Sequence, residues 1–286
     1  MSGILQTIEE NYNQFTKSEK KVADYIFKNS QSVLYTSITD LAELCGVGDT
    51  TVFRFCKDLK LNGYQEFKML LAQDVTVSNT KDGGLRAVTG MIEPGDTVET
   101  LCKKALAANI TALEETFHGL DYEAISKSVD MLSAAKRIHF FGVGSSGVTA
   151  LEAKQKFMRI MPNVDYVADG HMQHMAAALL DSRDLAVIFS YSGSTKDMIE
   201  VHNLLKKNGC KSICITRHAK SVLTAQADIV LSCGSNEGPL DGGAASTSIV
   251  QLYLLDVLYL QYFIRHYNLA WDNKSRTTEA IAAKLL

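Results

Sequence analysis

Phe189-Ser190-Tyr191-Ser192-Gly193-Ser194-Thr195-Lys196 is the stretch on which the fold turns. An apolar run, Asp184-Leu185-Ala186-Val187-Ile188, precedes it and reads as a buried strand. A helical pattern from Asp197 to Lys207 follows it. Backbone N–H groups at a helix start lack intrahelical partners and carry the positive end of the helix dipole. Ser190, Ser192, Ser194 and Thr195 add hydroxyl donors around Tyr191, and Gly193 lets the backbone approach a bulky anion. The ligand this suggests is a phosphate monoester. An ordinary loop with serine N-caps has the same ingredients, so the rest of the chain has to decide.

A second loop of the same kind lies upstream. Phe141-Gly142-Val143-Gly144-Ser145-Ser146-Gly147 follows the apolar run Arg137-Ile138-His139-Phe140 and opens a helix, Val148 to Ile160. Its glycines at 142, 144 and 147 match G-x-G-x-x-G, but Ser145 and Ser146 supply hydroxyls where a dinucleotide fingerprint needs none. No acidic residue closes a second strand about 20 residues on in the expected way. Asp165 and Asp169 are near enough to keep a nicotinamide reading as a rival.

The two loops together resemble the sugar isomerase (SIS) domain, which binds phosphosugars. Its signatures are G-x-G-x-S and S-x-S-G-x-T. Here they stand as Gly142-Val143-Gly144-Ser145-Ser146 and Ser190-Tyr191-Ser192-Gly193-Ser194-Thr195, within a resemblance spanning roughly Ala124 to His266. Strands at Val164–Val167, Lys211–Thr216 and Asp228–Leu231 complete an expected α/β domain with five parallel strands flanked by helices. Ligand loops then sit at the carboxyl ends of the strands. The phosphosugar contacts expected are Gly144, Ser145, Ser146, Ser190, Tyr191, Ser192, Gly193, Ser194 and Thr195, with His171 and Glu237 reading sugar hydroxyls.

The first 74 residues have a different character. A helix is expected from Thr16 to Asn29, and Ser37 opens a short second helix with Asp40 in the capping-box position. Cys45-Gly46-Val47-Gly48 makes a tight link to a third helix from Asp49 to about Lys60, which together read as helix-turn-helix. On a wheel, Val52, Phe55, Cys56 and Leu59 face inward. Thr50, Arg54 and Lys57 face outward with Phe53 at the edge, which suits a recognition helix. Residues 1–74 hold eight Lys/Arg against ten Asp/Glu, a net of −2, so the positive character is local, from Arg54, Lys57, Lys60 and Lys68.

This stretch resembles the helix-turn-helix domain of RpiR-type transcriptional regulators. The matching residues are Ser37-Ile38, Leu41-Ala42, Val47, Thr51-Val52-Phe53-Arg54-Phe55-Cys56-Lys57, Leu59 and Gly63-Tyr64-Gln65-Glu66-Phe67-Lys68. It departs at Gly48, where the family favours a capping serine and Asp49 is expected to cap instead, and at Lys60-Leu61 in place of Gly-Phe. The family order is helix-turn-helix, then SIS. The resemblance implies a double-stranded DNA operator as partner and Asp49, Thr50, Thr51, Phe53, Arg54 and Lys57 as DNA contacts. The expected organisation is residues 1–76 as an all-α DNA-binding domain, 77–96 as a polar, glycine-bearing linker, and 97–286 as the SIS domain with leading helices.

Composition bounds the rest. The 286 residues are 46% hydrophobic and 21% charged with net charge −3, which fits two ordinary globular domains. Six scattered cysteines, none as C-x-x-C, fit reduced thiols in a cytoplasm. The apolar stretch Ile249–Ile264 is interrupted by Gln251, Asp256 and Gln261 and reads as a buried or dimer-forming helix, so no membrane partner is expected. Asp169, His171 and His174 could hold a metal, but no further ligand sits at metal spacing, and neither metal nor cofactor is expected.

The SIS fold serves both isomerases and sensors. Catalytic relatives carry a glutamate on the helix after the last strand. Here that helix opens Gly242-Gly243-Ala244-Ala245-Ser246-Thr247-Ser248, without a carboxylate, and only Glu237 and Asp241 precede it nearby. The expectation is a non-catalytic regulator of amino-sugar or pentose metabolism, a homodimer or homotetramer whose operator affinity a phosphosugar controls. A phosphosugar aldose–ketose isomerase with a helical appendage is the alternative.

Overall fold

Helix-end chemistry shapes the N-terminal unit of the computed structural model, which describes residues 3–79, 95–234, 245–282 and 284. Helix α1 (Ile4–Asn11) leads α2 (Lys17–Val33). Thr16 caps α2 in a reciprocal box: its hydroxyl accepts from the Glu19 N–H, and its own N–H donates to the Glu19 carboxylate. Ser37 likewise accepts from the Asp40 N–H at 3.0 Å and starts α3 (Ile38–Cys45). Gly46, at φ 63°, ends α3 in the left-handed conformation, and α4 (Asp49–Asp58) follows within three residues. That short link sets the helix-turn-helix. Helix α5 (Tyr64–Asn79) closes the unit. Phe55 anchors its core, with ring centroids 5.0 Å from Phe15 and 6.0 Å from Phe67, beside buried Val22, Ile26, Leu41, Val52 and Leu71.

The compact units divide between Thr111 and Ala112, inside α6 (Val98–His118). Residue 76, where the sequence reading ends the first domain, lies within α5; the remainder of the expected linker up to residue 94 lies outside the described residues.

The second unit is a sheet between helices, as the fold expectation has it. After α7 (Tyr122–Ala134) come β1 (Ile138–Phe141), α8 (Ser145–Phe157), β2 (Val164–Tyr166) and α9 (Gly170–Leu179). Then follow β3 (Leu185–Phe189), α10 (Lys196–Lys207), β4 (Lys211–Thr216), β5 (Ile229–Ser232), α11 (Ala245–Arg265) and α12 (Tyr267–Ala282). All four ladders are parallel in the order β2-β1-β3-β4-β5, and β1 meets β3 in the register Phe141↔Ile188. Strands covered on both faces need apolar runs; β3 is apolar throughout and β1 is apolar but for the buried His139. Side chains alternate between two cores. Ile138, Phe140, Leu185, Val187 and Phe189 pack toward α7, α8 and α11; Phe141, Ala186 and Ile188 pack toward α9 and α10.

Helix α11 runs through the apolar stretch Ile249–Ile264 that the sequence reading takes as a buried or dimer-forming helix. Its segment Ser246–Arg265, with mean hydropathy 1.3, is long and apolar enough to cross a membrane, alone among the described helices. Its buried Val250, Leu254, Leu255, Leu258 and Tyr262 belong to the core over β1 and β3, which accounts for that apolarity.

Candidate functional site

Strand order creates the cleft. The chain leaves β1 toward β2 on one side and leaves β3 toward β4 on the other, so the loops after β1 and β3 diverge at the carboxyl edge. In open parallel sheets this switch point is where ligands bind. Both serine loops start there at the same level, since Phe141 and Ile188 are register partners.

Neither helix start at this point is closed by a side chain. Gly144 stands at the N-cap of α8 and Thr195 at that of α10, and neither makes a side-chain capping bond. Intrahelical bonding begins at Gly147 in α8, whose N–H reaches Gly144 O, and at Ile199 in α10, whose N–H reaches Thr195 O. The first N–H groups of both helices therefore lack intrahelical partners, and two dipole ends add their positive potential.

The hydroxyls divide into presented and bracing groups. Ser145 is exposed, and Ser192, Ser194 and Thr195 are half-buried. Ser192 Oγ accepts from the Ser194 N–H at 3.2 Å, which leaves its own proton free to donate. Buried Ser146 accepts from Gln251 Nε2 at 3.4 Å and keeps its proton in the same way. Ser190 is buried, 3.5 Å from the Thr195 hydroxyl, and its N–H extends the β3–β4 ladder to Ile215 O. It braces the loop. Gly193 and Ser194 are among the expected contacts, but their N–H groups are already committed, Gly193 to Ser190 O at 3.2 Å and Ser194 to Ser192 Oγ. The open N–H groups lie further into α10, at its first turn.

Two bracing residues escape sequence reading. Gln173 of α9 is fully buried and clamps Gly142, accepting from its N–H at 3.3 Å and donating to its carbonyl at 2.8 Å. Gln251 of α11 bonds Thr149 as well as Ser146. Tyr191 is tied to the end of β4: its carbonyl accepts from Arg217 N–H at 3.2 Å and Thr216 Oγ1 at 3.1 Å, and its ring meets His218 edge-on. Gly193, at φ 60°, has no room for a Cβ, which would lie 2.2 Å from Ser221 Oγ.

His171 is exposed on the first turn of α9, at the same edge of the sheet. Glu237 and Asp241 lie outside the described residues. Asp169 caps α9 through the Met172 N–H, while Asp165 holds Lys154 at 2.7 Å. His174 bonds Gly170 O and meets Glu200 at 3.3 Å. The acidic residues of the nicotinamide rival thus have structural partners. Among the described residues no group of three His, Cys, Asp or Glu is placed to hold a metal.

On α4 the inward set Val52, Phe55, Cys56 and Leu59 is buried, and Thr50, Phe53, Arg54 and Lys57 are exposed. Three assignments change. Thr51 is buried, as its position four residues before Phe55 requires, and leaves the outward face. Asp49 is inside the helix, half-buried, accepting from the Thr39 hydroxyl at 2.8 Å, and Gly48 takes the N-cap without a side-chain bond. Lys68 is buried, with Nζ 3.4 Å from Thr36 O and 5.4 Å from the Tyr64 ring centroid, so it adds nothing to an outward basic surface.

Comparison with known proteins fits both units. A family model described as the helix-turn-helix domain of the rpiR family matches residues 2–78, and an SIS domain model matches residues 131–261. The chain is 35% identical over 278 residues to an uncharacterized HTH-type transcriptional regulator of Haemophilus influenzae, covering 97% of this chain and 96% of that one. It is 30% identical to the HTH-type transcriptional regulator HexR of Escherichia coli, covering 97% and 94%. Its fold resembles the Vibrio vulnificus NanR protein complexed with ManNAc-6P, with TM-score 0.85, 28% identity and 98% of each chain covered. The Haemophilus influenzae and Escherichia coli relatives are named as transcriptional regulators, and the isomerase alternative falls with them. The chain belongs to the RpiR family of helix-turn-helix transcriptional regulators and joins that unit to an SIS domain.

Proposed function

We propose that this regulator controls genes of amino-sugar or pentose metabolism and that a phosphosugar sets its operator affinity. The observation that carries the reading is the pair of side-chain-uncapped helix starts, at Gly144 and Thr195, meeting at the switch point of the sheet. A phosphate dianion there gains from two dipoles and from the hydroxyls of Ser145, Ser146, Ser192 and Thr195. Ser190, Tyr191, Gly193 and Ser194 shape the loop around it. His171 and Glu237 read the sugar hydroxyls. No cofactor takes part. The NanR complex with ManNAc-6P supports the ligand class by likeness.

The DNA reading rests on Thr50, Phe53, Arg54 and Lys57 on one exposed helix face. One such helix covers too little DNA for tight binding, so the protein acts in the cytoplasm as a homodimer or homotetramer on a palindromic site. The test is a gel-shift with the promoter beside its own gene, titrated with a panel of phosphosugars. One of them should change the affinity about 5- to 150-fold, the usual range of coupling between sites. Arg54→Ala should lower operator affinity about ten-fold or more if Arg54 reads a guanine. Operator binding that no phosphosugar alters sinks the regulatory reading.

A further inference from the structure

Phe53 is an aromatic ring left in water on a polar helix face. It is 45% exposed, while Val52, Phe55 and Cys56 of the same helix are fully buried. Lys57 and Gly63 are its neighbours. Lys57 Nζ lies 5.4 Å from the ring centroid, and a Cβ built at Gly63 would stand 3.8 Å from Phe53 Cε2. The ring therefore leans over the turn before α5 under the lysine stem. Its surroundings carry positive charge: Arg54 is next in sequence, Lys57 one turn on and Lys60 past the helix end, all exposed. Thr50 precedes it by one turn. Asp58, the other exposed charge of the helix, faces Glu19 of α2, and Arg54 lies near enough to both carboxylates to favour their charged forms.

An apolar disc framed by a hydroxyl and three cations does not suit an apolar partner surface. It suits a polyanion that offers an apolar group between its charges. In the major groove that group is the C5-methyl of thymine, flanked by phosphates on both walls. We propose that Phe53 reads a thymine methyl in each half-site while Arg54, Lys57 and Lys60 take base edges and phosphates. This assignment rests on the DNA reading above and adds the chemistry of one base to it.

The test uses the full-length protein and a random-sequence duplex pool. The sequence the pool yields is resynthesised with each thymine in turn replaced by deoxyuridine, which deletes only the methyl. One position per half-site should lose about three- to ten-fold in affinity, the scale of burying one methyl group. Phe53→Ala should bind the unmodified site about that much more weakly and respond no further to deoxyuridine at that position. Phe53→Leu, still apolar, should keep part of the methyl sensitivity. Phe53 is exposed, so these variants should melt like the parent. Deoxyuridine without effect at every position overturns the assignment and leaves DNA binding intact; so does equal methyl sensitivity in Phe53→Ala. A pool with no enriched sequence overturns the DNA reading and this assignment with it.

Discussion

Lys60 holds a backbone conformation that ordinarily belongs to glycine, at φ 62°. It closes α4, with its N–H on Lys57 O at 2.8 Å and the Leu61 N–H on Cys56 O at 3.0 Å. A residue with a Cβ loses about 1–2 kcal/mol in this region, part of which a glycine returns to the flexibility of the unfolded chain. Lys60→Gly should therefore raise stability by about 0.5–1 kcal/mol in urea unfolding; a loss would mean that the lysine side chain itself holds the turn. His139 makes the opposite kind of case. It is buried on β1, its Nε2 has no hydrogen-bond partner among the described residues, and burial pushes its pKa from 6.5 down to about 4. The folded chain keeps it neutral where the unfolded chain takes a proton. Its contribution is thus complete above pH 6.5 and is lost as pH falls toward 4. Between pH 7 and 4.5 this one group should account for roughly 2–3 kcal/mol of lost stability. His139→Phe should flatten that limb; an unchanged slope would mean that the ring is not buried neutral.

The loop after β3 depends on Gly193 more than on any one hydroxyl. Its positive φ and the 2.2 Å approach of a Cβ to Ser221 Oγ leave alanine no position there. Gly193→Ala should cost about 1–3 kcal/mol of stability and abolish effector binding in calorimetry. Parent-like binding in that variant would show that the loop does not shape the site. The serine loops were legible because glycine and serine between apolar strand and helix periodicity carry local chemistry. The α4 wheel was legible for the same local reason, and it already held the signal that Thr51 lies on Phe55's side. Gln173 and Gln251 were not legible. Glutamine is common on surfaces, and their partners stand 31 and more than 100 residues away in the chain. Helices α1 and α5 also escaped. The first is eight residues long, and α5 runs on through the polar Thr76-Val77-Ser78-Asn79, which composition marks as linker.

At the scale of the whole molecule the net charge of −3 conceals a division of labour. Positive charge gathers on one helix face in the first unit, while the second gathers hydroxyls and helix dipoles with little formal charge. The first arrangement suits a polyanion and salt-sensitive binding; the second suits a small dianion held by hydrogen bonds. A ligand of the second unit can move DNA affinity only by binding the DNA-free and DNA-bound proteins unequally. In the proposed function the phosphate group supplies the first part of that binding energy. The most direct test of the account is therefore titration calorimetry of the intact protein with amino-sugar and pentose phosphates, each beside its unphosphorylated sugar. Charged hydrogen bonds contribute about 1.5–3 kcal/mol each, so removing the phosphate should weaken binding roughly a hundred-fold or more. One phosphosugar should bind and its free sugar scarcely at all, with Ser145→Ala/Ser192→Ala losing about ten-fold to several hundred-fold. A free sugar that binds as tightly as its phosphate would contradict the proposed function.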